Sequence, residues 1–159
     1  MSLPNLDKQL AEIVQQEEQL QFSRFTNEMA LEIGMLLYAE AKKSGSAVTI
    51  DISRNGQCLF HYEMEGTSKD NAEWIRRKNN VVNRFYRSSY YVGTRLRSQG
   101  TTMEEKYAIS TVEFAAHGGA FPLRMKGAGV IGTITVSGLP QKEDHDLVVR
   151  VLRDYLQAH

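Results

Sequence analysis

Cysteine is nearly missing from this chain of 159 residues: Cys58 is the only one, so no disulfide can form within it. A reducing compartment is the simple reading, and the protein is expected to be cytoplasmic. The stretch from Met1 to Lys8 lacks the apolar run of a signal peptide. No segment has the length of apolar residues needed to span a bilayer, so no membrane partner is expected. Charge of one sign is missing too. Lysine plus arginine number 19, as do aspartate plus glutamate, which leaves no overall field to favour nucleic acid. Proline is scarce, at Pro4, Pro122 and Pro140, and there is no repeat or low-complexity tract. A P-loop, a dinucleotide-binding glycine motif and a nucleophile elbow are all lacking. What is present is a chain 42% hydrophobic and 24% charged, the make-up of one folded domain over residues 1–159.

Hydrophobic periodicity orders the elements. Leu6, Leu10, Ile13 and Val14 give a helix from about Asn5 to Gln19; Phe25, Met29, Ile33, Leu36 and Leu37 give a second, from Thr26 to Lys43. The period then falls to two over Val48, Ile50 and Ile52. Asn55-Gly56 follows, a pair suited to a hairpin turn in which both central residues need positive φ. Gln57 to Met64 is the return strand, and a plain two-residue turn sets Ile52 opposite Leu59 and Ile50 opposite His61. That register puts His61 on an apolar face as a core histidine, with Phe60 and Tyr62 on the other face, so helices should cover both sides. Cys58 is expected in the core. A helix begins at Ser68, with Trp74, Val81 and Phe85 as its buried stripe; another precedes Gly100, and a short one lies near Glu104 to Tyr107. Residues 119–126 and 130–137 form a second hairpin, and a final helix follows Pro140. The N-terminal helices occupy 1–44. The fold class is α+β.

Two stretches then carry a resemblance. His117-Gly118-Gly119-Ala120-Phe121-Pro122-Leu123 is one; Gly129 to Gln141, with Glu143-Asp144-His145 after it, is the other. Together they resemble the heme-degrading-domain family, and Trp74 to Phe85 with Ser88-Ser89 resembles an uncharacterised bacterial and fungal branch of it. The likeness spans residues 45–159. It implies a profilin-like α-β-α sandwich, with an antiparallel sheet covered by helices on both faces, and a homo-oligomer built from dimers. For some members it implies heme or another tetrapyrrole as ligand.

The candidate ligand site is His117, Gly118, Gly119 and Phe121, with Arg124 and Ser137. The paired glycines allow main-chain N–H groups to approach a ligand, Phe121 offers an apolar wall, and His117 offers an iron ligand or proton carrier. The plainer reading of the same residues is a tight turn at the start of a strand. His61, His117 and His145 lack zinc spacing, so no metal is assigned beyond His117 with heme. Ser137, His117 and Asp144 have the residue types of a triad without its motif. The basic run Arg76, Arg77, Lys78, Arg84, Arg87, Arg95 and Arg97 suits subunit contacts or a solvated face better than nucleic acid. Three functions follow: a small-molecule-binding homo-oligomer, a non-catalytic adaptor or assembly protein, and an enzyme on a cofactor-like metabolite.

Overall fold

Turn chemistry and side-chain period set the frame of the computed structural model, which describes residues 3–159. Met1 and Ser2, where the search for a signal peptide starts, lie outside the described residues. Six helices and four strands follow in order: α1 Leu3–Gln19, α2 Asn27–Lys43, β1 Thr49–Arg54, β2 Gln57–Glu63, α3 Lys69–Phe85, α4 Ser89–Ser98, α5 Met103–Tyr107, β3 Ala120–Met125, β4 Gly129–Ser137 and α6 Gln141–Ala158. Hydroxyl side chains cap the starts of α2, α4 and α5. Thr26 accepts the Met29 N–H, Ser88 that of Tyr91 and Thr102 that of Glu105. The strands form one antiparallel sheet in the order β2-β1-β4-β3. Among the described residues, no helix is long and apolar enough to cross a membrane.

The first hairpin corrects the expected register. Asn55 and Gly56 do take positive φ, 50° and 82°, but a β-bulge between Ile52 and Ser53 shifts the pairing by one. Ile52 faces Phe60 and Ile50 faces Tyr62. A shift of one residue turns a strand over. Phe60 and Tyr62 therefore join Ile50 and Ile52 on the α2 side, and His61 leaves the expected core position. It lies opposite Asp51 on the other face, its Nδ1 2.9 Å from an Asp51 carboxylate oxygen. Cys58, expected in the core, is exposed on this edge strand.

Alternation then sorts the two faces. Ile50, Ile52, Phe121, Leu123, Ile134 and Val136 point toward α2 and α6 and form the main core with Ile33, Leu37, Val148 and Leu152. The opposite face carries Thr49, Asp51, Ser53, Thr133, Thr135 and Ser137 in register across β1 and β4. Helices cover both faces as expected, yet α3 covers a polar one. Asn79 of α3 donates to Asp51 at 3.4 Å and accepts from the Thr135 hydroxyl. At the β3 end, α1 is held by Glu17, 3% exposed, which accepts from Arg87 at 2.9 Å and from the Ser88 N–H at 3.2 Å.

Candidate functional site

The polar face of the sheet ends in a cavity of about 380 Å³, lined by Asn71, Trp74, Lys78, His117, Ser137, Gly138, Leu139, Gln141 and Asp144. Its parts come from the first turns of α3, the 117–119 bend, the end of β4 and the start of α6. Lys78 and Asp144 form its floor. Both are buried, at 3% and 1% exposed, with Nζ 3.1 Å from the Asp144 carboxylate and 3.3 Å from the Val136 carbonyl. Asp144 also accepts the Leu139 N–H at 2.9 Å. Burial pushes the Asp144 carboxyl up to about 6, against the pull of Lys78 and the amides of Leu139 and Gly138. Burial also pushes the Lys78 ammonium down. Lys78 donates to Asp144 and Val136, and Asp144 also accepts from Leu139; these bonds offset the cost of keeping two charges in such a place.

His117 stands on the wall, exposed, with its ring edge-to-face against Trp74 at a centroid distance of 5.3 Å. Partial burial, then the positive charges of Lys78, Arg77 and Arg97, hold its pKa below the ordinary 6.5. The imidazole is therefore mainly neutral at pH 7. Neither ring nitrogen has a hydrogen-bond partner among the described residues. Arg77 lies over the Trp74 ring, its guanidinium 4.6 Å from the ring centre, and donates to the Thr111 carbonyl at 2.9 Å.

The structure brings together two of the expected site residues, His117 and Ser137, at this cavity. The glycines stand beside it in a packing role. The Gly118 N–H is already taken by the Gln141 side-chain oxygen at 3.0 Å, and a β-carbon there would collide with the Gln141 carbonyl. Gly119 has φ 139°, and a β-carbon on it would meet the Val136 carbonyl and Lys78 Nζ. The doubled glycine thus lets the bend close onto α6 and β4, with the Gly118 N–H held inside the chain. Phe121 is 1% exposed and sits on the α2–α6 side of the sheet, the face opposite to Ser137. It walls no part of this cavity. Arg124 lies at the far end of β3, donating to the Tyr86 carbonyl at 3.0 Å and 3.5 Å from Glu17.

His145 and His61 stay away from His117. His145 is 1% exposed, bound through Nε2 to Gln16 at 2.7 Å, and pushed down to about 4 by burial. His61 sits between Asp51 and Glu63. Among the described residues, no group of three or more His, Cys, Asp or Glu is placed to hold a metal ion. Ser137, His117 and Asp144 share the cavity, but no hydrogen bond joins them; Asp144 is committed to Lys78 and Leu139. The basic run is largely used inside the chain: Arg76 pairs with Glu73 and Glu113, and Arg87 with Glu17.

Trp74, Lys78, Asn71 and Gln141 were not among the residues singled out from the sequence for this site. One signal for them exists. Lys78 interrupts the stripe of Trp74, Val81 and Phe85, and a charge within a buried stripe needs a partner.

With this geometry in place, comparison gives consistent likenesses. A family model described as haem degrading protein HbpS-like matches residues 25–153. A UPF0303 protein of Serratia proteamaculans is 46% identical over 152 residues, covering 96% of this chain and 94% of the relative. Of solved structures, that of the Ybr137w protein has a TM-score of 0.87 at 34% identity, over 94% of this chain and 88% of that one. The PduOC:heme complex has a TM-score of 0.67 at 14% identity, over 81% and 93%, a likeness of fold alone.

Proposed function

Since this chain belongs to the HbpS-like haem-degrading protein family, we propose that it is a cytoplasmic, homo-oligomeric small-molecule-binding protein whose ligand enters the cavity between Trp74 and His117. The state of His117 carries this reading. Its ring is kept neutral, its nitrogens have no protein partner among the described residues, and it lines a cavity with an aromatic wall. A neutral imidazole with a free lone pair is what iron ligation requires, and it equally accepts a hydrogen bond from a ligand. Heme or another tetrapyrrole is the first ligand to test, since a neighbour of the same fold is a heme complex. Bound heme would supply an iron centre, with His117 as the residue to hold it. Trp74 would pack against the ligand, and Ser137, which lines the cavity, would supply a hydroxyl to hydrogen-bond it. The volume, about 380 Å³, is toward the small end of ligand pockets, which run from about 300 to 1,000 Å³.

Hemin titration followed by absorption tests the reading. The wild type should give a saturable, shifted Soret band, and His117→Ala should lose it. Because the His117 pKa lies below 6.5, the shift should persist in mildly acid buffer and vanish as pH falls through the folded-state pKa. An unaltered Soret response in His117→Ala would remove this residue, and with it iron ligation, from the account.

A further inference from the structure

Large apolar side chains collect on one surface far from the sequence motifs. Leu31, Met35, Leu36 and Tyr62 are 46%, 51%, 42% and 44% exposed. The first three lie on the outer side of α2, and Tyr62 of the edge strand β2 joins them through an edge-to-face contact with Tyr38 at 5.5 Å. Contiguous exposure of this kind on a water-soluble surface marks a contact site. The helix cannot turn to hide it. Its inner side is pinned where Gly34 meets the ring of Phe60 so closely that any β-carbon would collide.

The order of residues along α2 indicates what covers this surface. Glu28, Leu31, Met35, Tyr38 and Lys42 recur at spacings of three and four, so they form one stripe. The stripe reads acid, apolar, apolar, aromatic, base. Turned end for end about Met35, it places Glu28 on Lys42 and Lys42 on Glu28. Docked the other way, like charges would meet at both ends. Among the described residues neither charge has an ion-pair partner: Glu28 has no bonded side-chain partner, and Lys42 only overlies the Tyr38 ring at 5.8 Å. The antiparallel arrangement also opposes the two helix dipoles favourably.

We propose that this surface seats a second copy of the chain, with the two α2 helices antiparallel across a two-fold axis near Met35. Leu31 and Met35 fill the centre, and Glu28 meets the other copy's Lys42 at each end. This rests on the self-assembly reading above and names the face that performs it. A two-fold contact requires a self-complementary surface, and this stripe is one.

Size-exclusion chromatography with light scattering on the full chain tests it, over a range of concentration. The wild type should run as a multiple of the chain mass. Met35→Glu should yield a smaller species with unchanged helical signal. Glu28→Lys and Lys42→Glu should each raise the concentration for half-assembly about tenfold, since two exposed pairs are reversed per dimer. Mixing these two variants in equal amounts should restore assembly, because each supplies the charge the other needs. A wild type that stays monomeric would overturn self-assembly and this face together. A wild type that assembles, with all three variants assembling equally well, would overturn only the face. Should Met35→Glu fail to fold, the charge-reversal pair still decides.

Discussion

Lys78 is the residue on which the cavity floor depends. It is nearly as inaccessible as the valines that follow it in α3, yet it carries an amine, and the sheet face above it is hydroxyl and carboxyl rather than methyl. Removing the amine leaves the Asp144 carboxyl buried without its cation. Lys78→Met should lower stability by about 3 kcal/mol in urea denaturation at pH 7, and Lys78→Met with Asp144→Leu should recover much of that loss. A single variant as stable as the wild type would show that the pair contributes nothing to the floor. The sequence held half of this information. The polar members of β1 and β4 were visible as alternating Thr, Asp and Ser, and Lys78 was visible as one member of a basic run and as a charge inside a buried stripe, with no sign of its partner. What joins them is a pairing 66 residues apart along the chain, Lys78 to Asp144, for which local pattern has no signature. Phe121 lies away from the cavity for a simpler reason. It directly follows Ala120 on a strand, and neighbours on a strand face opposite ways.

At the scale of elements, the hairpins and helices were legible because their signals are local: Asn55-Gly56 for a turn, Thr26 and Ser68 for helix starts, and the spacing of Leu147, Val148, Val151 and Leu152 for α6. The bulge at Ile52/Ser53 was not legible, since nothing in Gln57-Cys58-Leu59 marks an extra residue, and it reversed the faces assigned to His61 and Phe60. The docking of α1 was also hidden. It depends on Glu17 reaching Arg87 and on Gln16 reaching His145 of α6. His145 gives this contact a pH dependence. Its folded pKa is about 4 against an ordinary 6.5, so its neutral form contributes fully above pH 6.5 and the contribution is lost as pH falls toward 4. That loss is on the order of 3 kcal/mol. Asp144 acts in the opposite sense, because its raised pKa favours the folded state as pH falls below about 6. The test is therefore the difference between wild type and His145→Gln in denaturation at pH 7 and pH 4.5. The variant should lose less stability on acidification; parallel losses would contradict the assignment.

At the scale of the whole molecule, the sheet separates two kinds of chemistry. One face is a dry apolar core under α2 and α6, and the outside of α2 carries the stripe assigned to a second copy. The other face is hydroxyl- and charge-lined, and it ends in the cavity of Trp74 and His117. The proposed binding cavity and the proposed assembly face thus lie on opposite sides of one sheet. Trp74 is the only tryptophan in the chain, so its fluorescence reports this cavity and no other part of the protein. Titration of that fluorescence with hemin and with metal-free protoporphyrin is the most direct measurement. Saturable quenching with both, and weakening by His117→Ala for hemin alone, is the result expected of a ligand packed on Trp74 with its iron on His117. Trp74 fluorescence that stays unquenched while hemin binds elsewhere on the protein would contradict the cavity as the ligand site.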